Sequence, residues 1–327
     1  MKVVDIFCGC GGLSYGFVKQ GFEVVKAFDN WTPAINIYNA NFSHPAEQID
    51  VYLLNPEYLK KLAPDMIIGG PPCQDYSSAG LHDENKGRAD LTLRYADIVC
   101  EVLPRFFVME NVDRIVKSET LPKAITKYKN AGYGLSQVVL DASKCGVPQK
   151  RKRFFLIGEF GGRDGWLDDR LINGQTATSM SIYDYLGNEF GTEFYYRHPR
   201  SYARRGIFSI FEPSPTVRGV NRPIPPGYKI HNGDATKDIT MVRPLTTLER
   251  ARIQTFPQNF NFLGTKKTDL EQIVGNAVPV ELASYVAGKI KEYISIKETF
   301  VEVPIEEQVK LRPRPIQMTF EEFAVAN

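Results

Sequence analysis

Apolar residues in this chain come in short runs punctuated by glycine, proline and single acids. Residues 3–7 read as a first strand, and 23–28 as a second that ends at Asp29. Stretches 65–69, 105–109, 135–140 and 154–157 read the same way. Helical spacing predicts helices over 13–20, 32–41, 91–102 and 120–130, the last closed by Ala131-Gly132. Asp50 is expected at a further strand end. Strands alternating with helices predict an open α/β sheet.

The pattern changes near residue 161. From there to about 239, Gly and Pro are frequent and apolar periodicity is weak. Arg197, Arg200, Arg204, Arg205, Arg218 and Arg222 cluster, with Tyr195, Tyr196 and Tyr202 interleaved. This predicts a separate, loop-rich domain able to lay guanidinium groups on a nucleic-acid duplex. Its aromatic content argues against the alternative, a disordered linker. Order returns at Arg243, where Thr246 and Glu249 have capping-box spacing and open a helix that Phe256-Pro257 stops. Gly275–Pro279 reads as a turn before an amphipathic helix over 281–294, and the residues beyond show no assignable pattern. The expected division is 1–159, 160–242 and 243–327, with the last returning to the first domain.

A hydrophobic content of 43% and a charged content of 24% are ordinary globular values, so the fold argument applies to the whole chain. No run is long enough for a membrane span, and the first strand leaves no room for a signal peptide. Five cysteines, an odd number, argue for a reducing compartment, and a cytoplasmic protein is expected. Net charge is only +2, but residues 150–243 hold 15 Lys and Arg against 10 Asp and Glu. That excess suits a nucleic-acid face, with an ordinary solvated face as the alternative.

Candidate chemistry sits at the predicted strand ends. Gly69-Gly70-Pro71-Pro72-Cys73-Gln74 presents a cysteine on a proline-stiffened loop, where open α/β sheets bind ligands. Thiolate is a strong nucleophile once its pKa is lowered; a lone cysteine is otherwise a small buried hydrophobe. The polar stretch 81–90 beside it is a candidate lid. The next strand delivers Glu110, a carboxylate that must be used or paired; the alternative is a solvated Glu110 beside a helix-capping Asn111. Phe7-Cys8-Gly9-Cys10-Gly11-Gly12, followed by a helix, a strand and Asp29, is a nucleotide-cofactor arrangement. Ser14 stands where a dinucleotide fingerprint has its third glycine, which favours S-adenosylmethionine over a nicotinamide. Cys8-x-Cys10 and the four histidines form no metal set. In Gln149-Lys150-Arg151-Lys152-Arg153, extended backbone puts both arginines on one side.

Taken in order, Phe7-x-Gly9-x-Gly11-Gly12, Pro71-Pro72-Cys73-Gln74, Glu110-Asn111-Val112, Gln149-x-Arg151-x-Arg153 and Gly275-Asn276-Ala277-Val278-Pro279 resemble the DNA cytosine methyltransferases that act at carbon 5. The resemblance runs from residue 5 to about 290. It implies a Rossmann-like S-adenosylmethionine-dependent methyltransferase sheet with a smaller, loop-rich target-recognition domain. It further implies a bacterial type II restriction–modification methylase: a monomer acting on double-stranded DNA, whose cognate endonuclease shares the target without a stable complex.

By the same resemblance, Cys73 adds to carbon 6 of a flipped cytosine, Glu110 holds ring nitrogen 3 and the exocyclic amine, and Arg153 holds the carbonyl oxygen. Arg151 helps place the base and the Cys73 loop. Phe7 lies against the adenine, the backbone of Cys10, Gly11 and Gly12 surrounds the amino-acid end, Asp29 takes the ribose hydroxyls and Asp50 the adenine amine. Pro72, Leu91, Asn276, Ala277 and Val278 complete that pocket. Ser77, Arg88, Thr216 and Arg218 are the implied DNA contacts, and Ala79 stands where some relatives have a serine that fills the vacated space. The alternatives are a tRNA cytosine-5 methyltransferase, whose Cys-Phe-Thr signature is absent here, a catalytically silent DNA-binding homologue, and a nicotinamide oxidoreductase. A zinc deaminase is set aside, because no second cysteine follows Pro72-Cys73 at its spacing.

Overall fold

A computed structural model describes residues 1–72, 90–199, 201 and 203–302. The chain begins β1 (Lys2–Ile6), α1 (Gly12–Lys19), β2 (Glu23–Asp29), α2 (Thr32–Asn39), β3 (Ala46–Gln48), α3 (Pro56–Leu62) and β4 (Met66–Gly69). It continues α4 (Asp90–Val102), β5 (Phe106–Val112), α5 (Thr120–Asn130), β6 (Tyr133–Asp141), β7 (Gln149–Lys150) and β8 (Lys152–Phe160). Seven of these strands form one sheet in the order β3-β2-β1-β4-β5-β8-β6. β1 to β5 are parallel, and β8 runs antiparallel between β5 and β6. The fold is therefore α/β with a Rossmann-like, mostly parallel sheet, as the alternating pattern predicts.

The sheet is fixed by burial on both faces, which suits continuous apolar strands. Val4, Ile6, Ile67, Phe107 and Met109 pack in one core with Tyr95 and Val99 of α4 and Leu121, Ala124 and Tyr128 of α5. Phe107 stacks on Tyr128 with ring centroids 4.1 Å apart. Each such side chain contributes roughly 1.5–3 kcal/mol of burial. The Tyr95 hydroxyl lies 3.2 Å from the Ile67 carbonyl and 2.9 Å from that of Val108, fastening α4 to β4 and β5. A second core joins Ala34 and Ile37 of α2 to Ile253, Phe256, Ile273 and Val274, and to Tyr195, Phe208 and Val217 of the arginine-rich stretch.

That stretch contains α6 (Asp168–Asn173), α7 (Ile182–Leu186), β9 (Phe194–Tyr196), β10 (Ile207–Ser209) and β11 (Ser214–Pro215). After it come β12 (Val242–Pro244), α8 (Thr247–Ile253), α9 (Lys267–Asn276) and α10 (Val280–Glu302). β10, β9 and β12 make a small sheet, while β11 pairs with β7. The expected capping box opens α8: Glu249 N–H donates to Thr246 Oγ1 at 3.1 Å, and Thr246 N–H to Glu249 Oε2 at 2.7 Å. The chain divides into two compact units, Met1–Lys289 and Ile290–Asn327, and the described part of the second continues α10. Among the described residues, no helix is long and apolar enough to cross a membrane.

Candidate active site

One row of paired residues crosses the sheet: Phe28 of β2 faces Ile6, Ile6 faces Gly69, and Gly69 faces Met109. The next residue on each strand is Asp29, Phe7, Gly70 and Glu110. Four motif positions far apart in sequence therefore reach the carboxyl edge of the sheet at one level, where such sheets bind ligands.

Glu110 extends the strand rather than following it, because β5 runs three residues past the expected end at Met109. There it pairs with β8, whose Arg153 faces Val112. Glu110 and Val112 share a face, so Arg153 reaches diagonally and sets Nε 2.8 Å from Glu110 Oε1. Both side chains are largely buried. Burial pushes the Glu110 carboxyl above its usual range, against the opposing pull of Arg153 and Arg151. A Cβ added to Gly70 would come within 3.2 Å of Glu110 Oε2, so the carboxylate lies beside the start of the proline loop. Asn111 is 2% exposed and donates from Nδ2 to the Pro71 carbonyl at 3.2 Å. The alternative of a solvated Glu110 beside a capping Asn111 is thus not what forms: Glu110 is paired, and Asn111 ties the end of β5 to the loop entry. Cys73, Ser77, Ala79 and Arg88, with the candidate lid up to residue 89, lie outside the described residues.

Arg151 and Arg153 do fall on one side, with Lys150 and Lys152 exposed opposite. Arg151 is 1% exposed. Its Nη1 donates to the Val217 carbonyl at 3.0 Å, and its Nη2 to the carbonyls of Gly275 at 3.0 Å and Ala277 at 3.2 Å. It therefore binds the arginine-rich stretch to the Gly275–Pro279 return.

Gln149, which opens the Gln149-x-Arg151-x-Arg153 motif but was given no role, and Gln254, which no motif includes, complete this junction. Gln149 accepts from Val217 N–H at 2.8 Å, and Gln254 Nε2 donates to Val274 and Ala277 carbonyls at 2.7 and 3.1 Å. Gln149 shares the alternation of the two arginines, a signal that was available; Gln254 has no local signature. Thr216 donates to the Lys150 carbonyl at 2.8 Å, and Arg218 donates to the His198 carbonyl.

At the glycine turn, Phe7 has φ +66°, a conformation that is strained for a bulky residue and tends to gather at functional sites. Asp29 accepts from Gly9 N–H at 2.8 Å and from Trp31 N–H at 2.9 Å, while burial pushes its carboxyl up. A Cβ on Gly9 would meet nothing within 4 Å, whereas one on Gly12 would lie 2.2 Å from the Val278 carbonyl. The Gly275–Pro279 return thus closes on the turn at Gly12 and leaves open space above Gly9, beside a fixed carboxylate. That cradle fits a nucleoside cofactor with a charged amino-acid end. Asp50 is exposed two residues past β3 and accepts from Tyr52 N–H at 2.9 Å. Pro72 and Asn276 are exposed, and Leu91, Ala277 and Val278 half-buried. Cys10 is buried, its thiol pushed up to about 12 by desolvation, so it is a neutral wall of the turn. Among the described residues, no group of three His, Cys, Asp or Glu side chains could hold a metal ion.

This sheet order, with a glycine turn after β1 and an acid after β2, is the frame of an S-adenosylmethionine-dependent methyltransferase. The chain matches the C-5 cytosine-specific DNA methylase family over residues 1–292, and it belongs to that family. It is a DNA (cytosine-5-)-methyltransferase. It is 56% identical over 293 residues to the Type II methyltransferase M.HindV of Haemophilus influenzae, covering 89% of this chain and 96% of that one. It is 51% identical over 297 residues to the Type II methyltransferase M.HgiDI of Herpetosiphon aurantiacus, covering 90% and 96%. The crystal structure of the S. pombe Dnmt2 methyltransferase shares the fold, with TM-score 0.69 at 17% identity over 90% of this chain and 99% of that one.

Proposed function

We propose that this chain methylates carbon 5 of a flipped cytosine in one short duplex DNA sequence, through a covalent Cys73 adduct, as the protecting methylase of a type II restriction–modification pair. The observation that carries the reading is the buried Glu110–Arg153 pair beside Gly70, three positions ahead of Cys73. A cytosine drawn out of the duplex brings a ring nitrogen, an amine and a carbonyl oxygen that need a proton-sharing carboxyl and a guanidinium. Glu110, with its raised pKa, keeps a proton for the ring nitrogen as thiolate addition makes the ring electron-rich. Arg153 holds the carbonyl oxygen. Arg151 acts at one remove: it orients the strand that carries Arg153 and ties it to the recognition stretch.

Phe7, the backbone of Cys10, Gly11 and Gly12, Asp29, Asp50, Pro72, Leu91, Asn276, Ala277 and Val278 would hold S-adenosylmethionine. Bound there, it supplies an electrophilic sulfonium methyl. Asp29 is preorganised for ribose hydroxyls by its two backbone N–H partners. Ser77, Arg88, Thr216 and Arg218 are assigned to the DNA. The setting follows the names of the relatives, both Type II methyltransferases. No stable complex with an endonuclease is required, since a shared target sequence suffices.

The test is incubation of duplex DNA with labelled S-adenosylmethionine, followed by mapping of 5-methylcytosine. A duplex carrying 5-fluorocytosine at the mapped site should trap the protein through Cys73, and Cys73→Ser should abolish the adduct. An adduct through another residue, or full methylation by Cys73→Ser, refutes the assignment. Labelling of tRNA in place of duplex DNA refutes the substrate.

A further inference from the structure

The chain from Thr216 to Asp238, between β11 and the turn at Ile239, forms no helix or strand. A structureless loop of this length inside a compact fold is commonly a functional one. Its later half is nonetheless built around one carboxylate. Asp234 is only 9% exposed, and four donors converge on it. Its Oδ1 accepts from the N–H groups of Gly206 at 2.9 Å and Ile207 at 3.0 Å, at the start of β10. Its Oδ2 accepts from the Tyr228 hydroxyl at 2.8 Å and from His231 N–H at 2.7 Å. Only an ionised carboxylate accepts all four in this way, because an amide has one oxygen.

The loop is thereby fastened to the small sheet. Tyr228 packs edge-on against Tyr196 of β9 with ring centroids 5.5 Å apart, and Ile224 packs in the same small core with Ile207 and Val242. Arg205 Nη1 adds a bond to the Gly233 carbonyl at 3.3 Å. The outward side of this loop is cationic: Lys229 and Lys237 are exposed, and Lys237 Nζ reaches the His231 carbonyl at 3.3 Å. Between residues 228 and 237, Asp234 is the only carboxylate, and it is turned inward onto its donors. The loop therefore uses its one negative charge on its own fold and turns its positive charges to solvent.

We infer that Asp234 is a positioning residue for DNA: it pins residues 228–237 to β10 and so holds Lys229 and Lys237 where duplex phosphates meet the recognition stretch. The DNA ligand rests on the methyltransferase reading above; the fastening itself does not. Asp234 touches neither base nor phosphate. A loop released from it would have to be ordered each time DNA binds, so affinity is lost without deletion of any contact to the duplex.

Asp234→Asn tests it. One amide oxygen still accepts from Gly206 and Ile207, but the amide nitrogen meets His231 N–H donor to donor, so the loop is released while the start of β10 is kept. In the protein alone, hydrogen exchange of the His231 amide should speed up at least about tenfold. Target-duplex affinity should fall about tenfold, although removal of a negative charge by itself strengthens binding to a polyanion. The slope of log affinity against log salt should shrink by about 1–2, and the loss should appear in the KM for duplex rather than in kcat. In a Lys229→Met/Lys237→Met background, Asp234→Asn should cost almost no further affinity. Tyr228→Phe, which keeps every backbone donor on Asp234, should show the same effects at smaller size, and it decides the matter if Asp234→Asn does not fold. An unchanged exchange rate at His231 overturns the fastening. Faster exchange with wild-type affinity and salt slope overturns the positioning, and so does a loss of affinity that is fully additive with the lysine substitutions. A wild type that binds no duplex refutes the DNA reading, while exchange at His231 still decides the fastening.

Discussion

Gln149 donates from Nε2 to Gln254 Oε1 at 2.7 Å, and neither side chain has any exposed surface. Between them they join four segments, their own two and two more: Gln149 holds the Val217 N–H, and Gln254 holds the Val274 and Ala277 carbonyls. Arg151 takes the Val217 carbonyl, so both backbone polar groups of Val217 are bound from one buried network. Buried networks of this kind are fully satisfied or costly. Gln254→Leu should therefore destabilise the protein by about 2–4 kcal/mol, more than one hydrogen bond is worth, because it strands Gln149 Nε2 and the Val274 carbonyl, while the Ala277 carbonyl keeps Arg151. Urea unfolding measures this. The Gln149→Leu/Gln254→Leu double variant should lose less than the sum of the singles, and strict additivity would show that the pair does not act as a unit.

The Glu110–Arg153 pair predicts a pH effect with a definite sign. Burial raises the Glu110 pKa above its unfolded value, so the folded chain holds a proton that the unfolded chain has released. Its contribution to stability is full below the ordinary carboxylate range and is lost as pH rises through the raised value. Arg153 opposes that rise, so Arg153→Met should move the loss to higher pH. Glu110→Gln should remove this pH dependence altogether and slow methyl transfer about 10²–10⁴-fold. Stability curves against pH for the three proteins decide it; a curve for Arg153→Met shifted to lower pH contradicts the assignment.

Much of this arrangement was legible in the sequence where the signal is local. The Thr246–Glu249 cap and the one-sided arginines need only neighbouring residues, and both form. Asn55 before Pro56, and Ser181 three residues before Asp184, are equally local caps that open α3 and α7, and they passed unread. The end of β5 was set too early because its apolar run stops at Met109, whereas the strand is prolonged by its ladder with β8. What no local pattern carries is the partner of Arg151, 66 and 124 residues away, or of Gln149, 105 away. Those pairings exist only once the arginine-rich stretch and the Gly275–Pro279 return have folded back on the sheet.

Asp5 titrates apart from the Glu110–Arg153 pair, with the nearby Asp29 charge adding to its shift. It points away from the α4 face and accepts from Ser14 Oγ at 2.6 Å; Ser14 in turn accepts from the Tyr38 hydroxyl at 2.8 Å. The side chain is fully buried, and desolvation raises its pKa to about 8. Between the unfolded carboxylate value and about 8, the folded chain holds one more proton than the unfolded chain. Stability should fall there by at most about 1.4 kcal/mol per pH unit from this group. Asp5→Asn keeps the acceptor for Ser14 and should flatten that slope between pH 5 and 7.5. Parallel curves for wild type and Asp5→Asn would mean that Asp5 is ionised in the fold.

Gly275 tests whether the junction matters to recognition as well as to folding. A Cβ there would lie 2.1 Å from the Gly219 nitrogen and 2.3 Å from the Arg218 carbonyl carbon. These are backbone atoms of the arginine-rich stretch and cannot swing aside, so Gly275→Ala must separate α9 from residues 218 and 219. The carbonyl of Gly275 is also one of the acceptors of Arg151. Overpacking of this kind costs about 1–3 kcal/mol. If the strain is relieved by displacing the recognition stretch, target-duplex affinity should drop about ten- to hundredfold. S-adenosylmethionine affinity should change far less, because Val278 and Gly12 still meet on the other side of the turn. Calorimetric titration of each ligand separates the two, and a variant that loses cofactor affinity while keeping DNA affinity would place the strain on the cofactor side instead.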